Sequence, residues 1–217
     1  MADPRSFRDP IHGFIPLNRP EAELLSTAPF RRLRHIRQLA LTNLVYHGAE
    51  HSRFGHSLGV MHQASLFFDS ITTKRGGLGW SRDDLSRRRQ LLRLAALCHD
   101  LGHTPFSHAG EEGRLLDGRH EDFSEAILVA TGGRAGEVRQ VLEAFRSDLY
   151  GITPEDVAAV ISGRALGAEP FLYEILSGDL DCDRTDYLQR DSLFCGVRYG
   201  RFDSERLVST LSWTEDP

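Results

Sequence analysis

The stretch Leu97-Cys98-His99-Asp100-Leu101-Gly102-His103-Thr104-Pro105-Phe106-Ser107-His108 gathers imidazole and carboxylate at the end of an apolar run, LLRLAALCHD. Imidazole nitrogen and carboxylate oxygen together suit a borderline divalent metal. No nucleophile competes for the role, because no nucleophile elbow surrounds Ser107, the hydroxyl beside His108. A lone His-Asp dipeptide ordinarily marks a helix end, with the histidine capping and the aspartate meeting solvent. Here Gly102 and Pro105 follow at once, so the polar groups face something, and metal binding accounts for them.

The ten histidines all lie between His12 and His120. A metal held by His56, His99 and Asp100 alone is short of ligands, and the acid-rich stretch Asp179, Asp181, Asp183, Asp186 is the natural supplier. Asp183 and Asp186 are three apart and share one helical surface with Tyr187 and Arg190. Asp179 or Asp181 reads as the cap of that helix. Spacing does not separate Asp183 from Asp186 as the ligand.

Helices must position these groups. Residues 5–17 (RSFRDPIHGFIPL) carry Pro10, Gly13 and Pro16 among alternating apolar positions, the pattern of a short extended arm or hairpin. Residues 21–26 begin the helical part. In 29–39 (PFRRLRHIRQL), Phe30, Leu33, Ile36 and Leu39 recur at three-residue steps, predicting a helix whose Arg31, Arg32, Arg34 and Arg37 form a solvated face. A long helix is expected from Ser52 to about Lys74, stopped by Gly76-Gly77, with Arg53 and His56 on one face. Its Gly55 and Gly59 leave room for close approach by another helix or a ligand. The next helix starts at the N-cap Ser81 and runs to the His99-Asp100 pair. Shorter helices follow over 106–112, from His120, over 135–145 and 153–161, two within 170–193 broken at Ser177-Gly178, and one from Asp203. Strand signals are scarce, so the class is all-α.

At 217 residues the chain suits one domain with a sizeable core, here taken as 1–217. No apolar run approaches the roughly 20 residues of a membrane span. The start, MADPRSFRDP, lacks the apolar core of a signal peptide, and three cysteines without a CxxC pair fit a reducing compartment, so a cytoplasmic location is expected. A formal charge of −5 argues against broad coating of nucleic acid. Of the 26 basic residues only Lys74 is lysine, and arginine's planar fork suits phosphate oxygens.

These blocks resemble a known family. DPIHGFIPL, FRRLRHIRQLALTNLVYHGAEHSRFGHSLGV, LCHDLGHTPFSH, the isolated His120-Glu121 and SGDLDCDRTDYLQRDSLFCGVRYGRFD, in that order, resemble the HD superfamily of metal-dependent phosphohydrolases, and more narrowly its deoxynucleoside triphosphate triphosphohydrolase branch. The resemblance implies an HD-domain helical bundle and a metal held by His56, His99, Asp100 and Asp183, which chooses between the two acids. The ion would be manganese, iron, zinc, nickel or magnesium, with a second magnesium accompanying the substrate phosphates. It further implies that His103, His108, Glu111 and His120 surround the metal set as catalytic groups, with His108, oriented by Glu111, and His120 acting on the attacking water or the departing 5′-oxygen. Arg53 and Arg184 would hold the triphosphate, Gln38 and Asp191 the sugar 3′-hydroxyl, and Tyr187 would close off the 2′ edge. The partner is then a nucleotide, and a homo-oligomer is expected. The chain stops at Pro217, soon after the YGRFD block, where larger members continue, so it is a compact form or a fragment. The activity implied is hydrolysis of a deoxynucleoside triphosphate to deoxynucleoside and triphosphate. A phosphohydrolase or phosphodiesterase on another nucleotide is the alternative, and an idle nucleotide-binding module the third reading. Retention of all six of His56, His99, Asp100, Asp183, His108 and His120 speaks against idleness.

Overall fold

The computed structural model describes residues 5–74, 76–112, 117–164 and 170–213. The arm is a hairpin: β1 (Arg5–Asp9) pairs antiparallel with β2 (Gly13–Leu17). Asp9 builds the turn, its Oδ1 accepting from the backbone N–H groups of Ile11 (2.8 Å) and His12 (3.0 Å), and Gly13 takes the left-handed conformation at φ 74°. Helices make up the rest of the regular structure among the described residues: α1 (Arg19–Leu24), α2 (Ala28–Leu33), α3 (Arg53–Lys74), α4 (Arg82–Cys98), α5 (Ser107–Glu112), α6 (His120–Val129), α7 (Gly136–Ala144), α8 (Pro154–Ile161), α9 (Pro170–Ser177), α10 (Cys182–Cys195) and α11 (Ser204–Thr210). The fold is all-α with one small hairpin, as the sequence predicts. None of these helices is long and apolar enough to cross a membrane.

The centre of the molecule is α3, which packs on α4 along one side and on α10 along another. It is buried over most of its circumference, with Phe54, Leu58, Met61, Phe67, Phe68 and Ile71 in the core and Arg53 and His56 buried toward its start. Against it α4 buries Leu91, Leu92, Leu94 and Leu97, and α8 and α9 close the far side of α4. Gly59 is what lets α10 come close. A Cβ there would collide with the Asp186 carboxylate and the Arg190 guanidinium. Local signals set the helix ends: Ser81 Oγ accepts from Asp84 N (3.1 Å) at the start of α4, and Asp181 Oδ1 accepts from Arg184 N (2.5 Å) at the start of α10. Gly196, at φ 70°, terminates α10.

One predicted helix is shorter than its pattern. The three-residue periodicity runs from Phe30 to Leu39, yet α2 ends at Leu33. Beyond it the backbone turns to pair with the segment preceding α3: Gln38 N donates to His51 O and Arg53 N to Ile36 O, each at 2.9 Å. That non-local pairing outweighs local helix propensity, because it satisfies backbone groups on both segments while still burying Ile36. The arginine face is also not merely solvated. Arg32 donates to the backbone oxygens of Leu101 and His103 (2.8 Å to the latter), and the Arg34 guanidinium lies 3.5 Å from the centre of the Phe54 ring.

Candidate metal centre and cleft

Three segments far apart in sequence bring their polar side chains to one buried point. His99 caps α4, and its Nδ1 donates to Ala96 O (2.7 Å), so its lone pair sits on Nε2. That Nε2 is buried and has no hydrogen-bond partner. It lies 3.4 Å from Asp100 Oδ1 and 3.8 Å from Asp183 Oδ1. His56, from α3, presents Nε2 to Asp183 Oδ1 at 2.9 Å and to Asp100 Oδ2 at 3.8 Å. Two imidazole nitrogens and two carboxylates thus converge, and a buried imidazole nitrogen with no partner is what a metal-binding position leaves. The set fits a divalent cation of the borderline kind.

Asp183 and Asp186, equivalent by spacing, are not equivalent in place. Asp183 faces the two histidines, whereas Asp186 is fully buried behind His56. Asp186 accepts from His56 Nδ1 (2.8 Å), His12 Nε2 (2.6 Å) and, in a two-pronged pair, Arg190 Nε (2.8 Å) and Nη2 (2.9 Å). Burial works against a charged His56, but the Asp183 and Asp186 carboxylates overcome it and raise its pKa to about 10. Burial likewise opposes ionisation of Asp100. The Arg53 guanidinium, 2.6 Å away, and the surrounding imidazoles win, and hold that carboxyl well below the usual range.

A second cluster adjoins the first and is built from nearby residues. Glu111, on α5, is its hub: Oε1 accepts from His120 Nδ1 (3.0 Å) and His120 N (3.2 Å), while Oε2 lies 3.4 Å from His108 Nδ1. The His103 and His120 rings stack at 3.8 Å, and His103 Nε2 reaches Asp100 Oδ1 at 3.3 Å, linking the clusters. Burial lowers the pKa of His103 to about 2 and lowers that of His120 as well. The loop carrying the HD pair is pinned to α6, for Gly102 N donates to Ser124 Oγ (2.8 Å) and Ser124 Oγ donates to His99 O (2.6 Å).

Both clusters open into one cleft of about 1060 Å³. The structure brings every sequence-derived site residue to it except Glu111, which sits behind His108 and His120. Gln38, Arg184, Tyr187 and Asp191 line one side, with the Arg184 guanidinium tethered to Asp179 O at 2.6 Å. Gln38 Oε1 is buried without a partner. Arg53 lies deeper than a simple phosphate anchor would, 3% exposed, between Asp100, Ser107 Oγ and Gln38 O. Sequence reasoning missed three groups here. Asp191 is held by His51 Nε2 (2.7 Å), Ser107 by Arg53, and Asp186 by His12. No spacing rule could have found His51 or His12, whose partners lie 140 and 174 residues away.

Comparison with known proteins agrees with this geometry. The HD domain family model matches residues 53–191. The chain is 39% identical over 217 residues to the uncharacterized protein YwfO of Bacillus subtilis, covering all of this chain and 46% of that one. It is 32% identical over 236 residues to the human deoxynucleoside triphosphate triphosphohydrolase SAMHD1, covering 92% of this chain and 34% of that one. A crystal structure of a hypothetical protein from Aquifex aeolicus superposes with a TM-score of 0.77 at 36% identity, over 98% of this chain and 52% of the other. The chain therefore spans about half, or less, of the length of these relatives. With the match running from Arg53 at the start of α3 to Asp191 on α10, and so across every segment that meets at the buried point, the chain belongs to the HD domain family.

Proposed function

We propose that the cleft hydrolyses deoxynucleoside triphosphates to deoxynucleoside and triphosphate, with a divalent metal held by His56, His99, Asp100 and Asp183. The observation that carries the reading is the meeting, in one cleft, of a cation-binding set, a proton-transfer cluster and a polar and aromatic face on α10. The relatives named as deoxynucleoside triphosphate triphosphohydrolases support the substrate class. When bound, the metal supplies Lewis-acid stabilisation of charge on the phosphoryl oxygens.

The chain's own groups do the rest. Glu111 accepts at His120 Nδ1, which fixes the tautomer and makes Nε2 the basic nitrogen, able to take a proton from water or return one to the 5′-oxygen. His108, 62% exposed on its side chain, shares the same carboxylate and can move toward the phosphates. Arg184 faces the cleft as the cationic partner of the phosphate chain. Gln38 Oε1 and the His51-held Asp191 accept hydroxyl hydrogen bonds from the sugar. Tyr187 stands one helical turn beyond Asp183, where its ring excludes a 2′-hydroxyl by volume.

The test is to incubate the protein with Mn²⁺ and each dNTP or NTP and to identify the product. Release of triphosphate from dNTPs, with NTPs turned over far more slowly, is expected. Replacing Tyr187 with Ala should raise NTP turnover relative to dNTP. Equal turnover of dATP and ATP by the parent protein would reject the deoxynucleotide assignment and leave a phosphohydrolase of broader nucleotide range.

A further inference from the structure

The hairpin at the start of the chain is far from the cleft in sequence, yet its turn inserts two side chains between α3 and α10. Asp9 Oδ2 accepts from Arg190 Nη1 (2.9 Å), and His12 Nε2 donates to Asp186 Oδ1 (2.6 Å). The His12 side chain is 6% exposed and Asp186 is wholly buried, so this contact is shielded from water. Asp186 Oδ2 in turn accepts the His56 Nδ1 proton (2.8 Å), which leaves Nε2 as the nitrogen turned toward Asp183 and Asp100. A carboxylate behind a metal-binding imidazole sets the tautomer, orientation and basicity of that ring. Gly59 contributes by leaving the space the carboxylate occupies.

We infer that His12 is a positioning residue of the metal centre, acting through Asp186 on His56. Arg190 grips both Asp186 oxygens from the same helix, with its Nη1 held by Asp9 of the hairpin. His12 comes from outside the helices and holds Oδ1, the oxygen that does not meet His56. It therefore stops the carboxylate from rocking about its grip on Arg190. The hairpin thereby becomes a strut of the site, tied to α10 at Asp9 and His12 together. The inference rests on the assignment of His56 as a ligand.

The experiment measures Mn²⁺ affinity by chelator competition, together with the thermal midpoint of the chelator-stripped protein, for the parent, His12→Phe, His12→Gln and Asp183→Ala. Phenylalanine keeps the ring volume and loses the donor, whereas glutamine can place an amide N–H near the position of Nε2. His12→Phe should weaken Mn²⁺ binding by about 10- to 100-fold, and His12→Gln should recover much of it. A lowered midpoint in His12→Phe with the parent's Mn²⁺ affinity would overturn the inference and make His12 a packing residue. So would equal weakening in His12→Phe and His12→Gln, because the donor would then be irrelevant. Should His12→Phe fail to fold, His12→Gln decides: a loss as large as that of Asp183→Ala overturns the inference. No Mn²⁺ binding by the parent, or none lost in Asp183→Ala, would instead sink the ligand assignment itself, and the inference with it.

Discussion

Two clusters of histidine and carboxylate share one cleft, and they are built in opposite ways. The first joins α3, the end of α4 and α10, segments more than a hundred residues apart at the extremes, and its His56 and Asp100 are almost completely buried. The second is local, drawn from residues 103–120, and reaches solvent through His108. A set of ligands fixed by the core can hold a cation in one geometry, since each ring is gripped from behind: His99 by Ala96 O and His56 by Asp186. In the second cluster His103 and His120 are stacked and largely covered, and His108, with a side chain 62% exposed, is the imidazole that meets water. The first cluster is thus closed off by the core and the second is open at one edge.

The largest effect is expected at Asp183. Replacing it with Ala should reduce bound Mn²⁺ to background in elemental analysis of protein prepared with the metal present. Retention of the metal would mean that the buried set is not the binding cluster. The second cluster is tested next. In His120→Ala, turnover should fall by roughly 10²–10⁴-fold with metal content unchanged, as expected when a proton-transfer group is lost. If metal is lost in parallel, the division between the clusters fails.

Smaller effects are expected behind the metal set. Asp186→Ala leaves the Arg190 guanidinium buried beside Asp9 alone, and removing one partner of a buried pair costs about 3–5 kcal/mol. Urea unfolding of the metal-free protein should show that loss, and a much smaller one for Asp183→Ala, whose side chain is 34% exposed. Finally, metal and proton compete for His56. Its pKa, raised from 6.5 to about 10 in the metal-free fold, means that the bound proton stabilises that fold fully below pH 6.5 and that this contribution is lost as pH rises through about 10. Binding must expel the proton, so apparent Mn²⁺ affinity should climb by about tenfold per pH unit over that window. A flat affinity between pH 7 and 9 would show that His56 is neutral before the metal arrives.

Much of this was legible in the chain alone, because it rests on local physics. The His99-Asp100 pair at the end of an apolar helix, the cap at Ser81, the stop near Gly76 and the all-α class follow from side-chain periodicity and capping within a few residues. The histidine bias and the acid-rich 179–186 stretch pointed to a centre assembled from both halves. Where α2 stops was not legible, because the periodic pattern of 29–39 is overridden by backbone pairing with 51–53. Nor was the choice between Asp183 and Asp186, since spacing places both on one face and family resemblance, not spacing, separated them.

The chain alone supplies the chemistry: it says which segments are helices, and that imidazoles and carboxylates are present in metal-binding proportion. Packing then selects the partner that each group meets. Asp183 and Asp186 differ by less than one helical turn, yet one faces a cleft and the other is sealed behind His56 by His12 and Arg190. Helical phase is set by neighbours in the chain and can be read from it. The environment of each face is set by α3 and by a hairpin 174 residues away, through a contact that no local rule encodes.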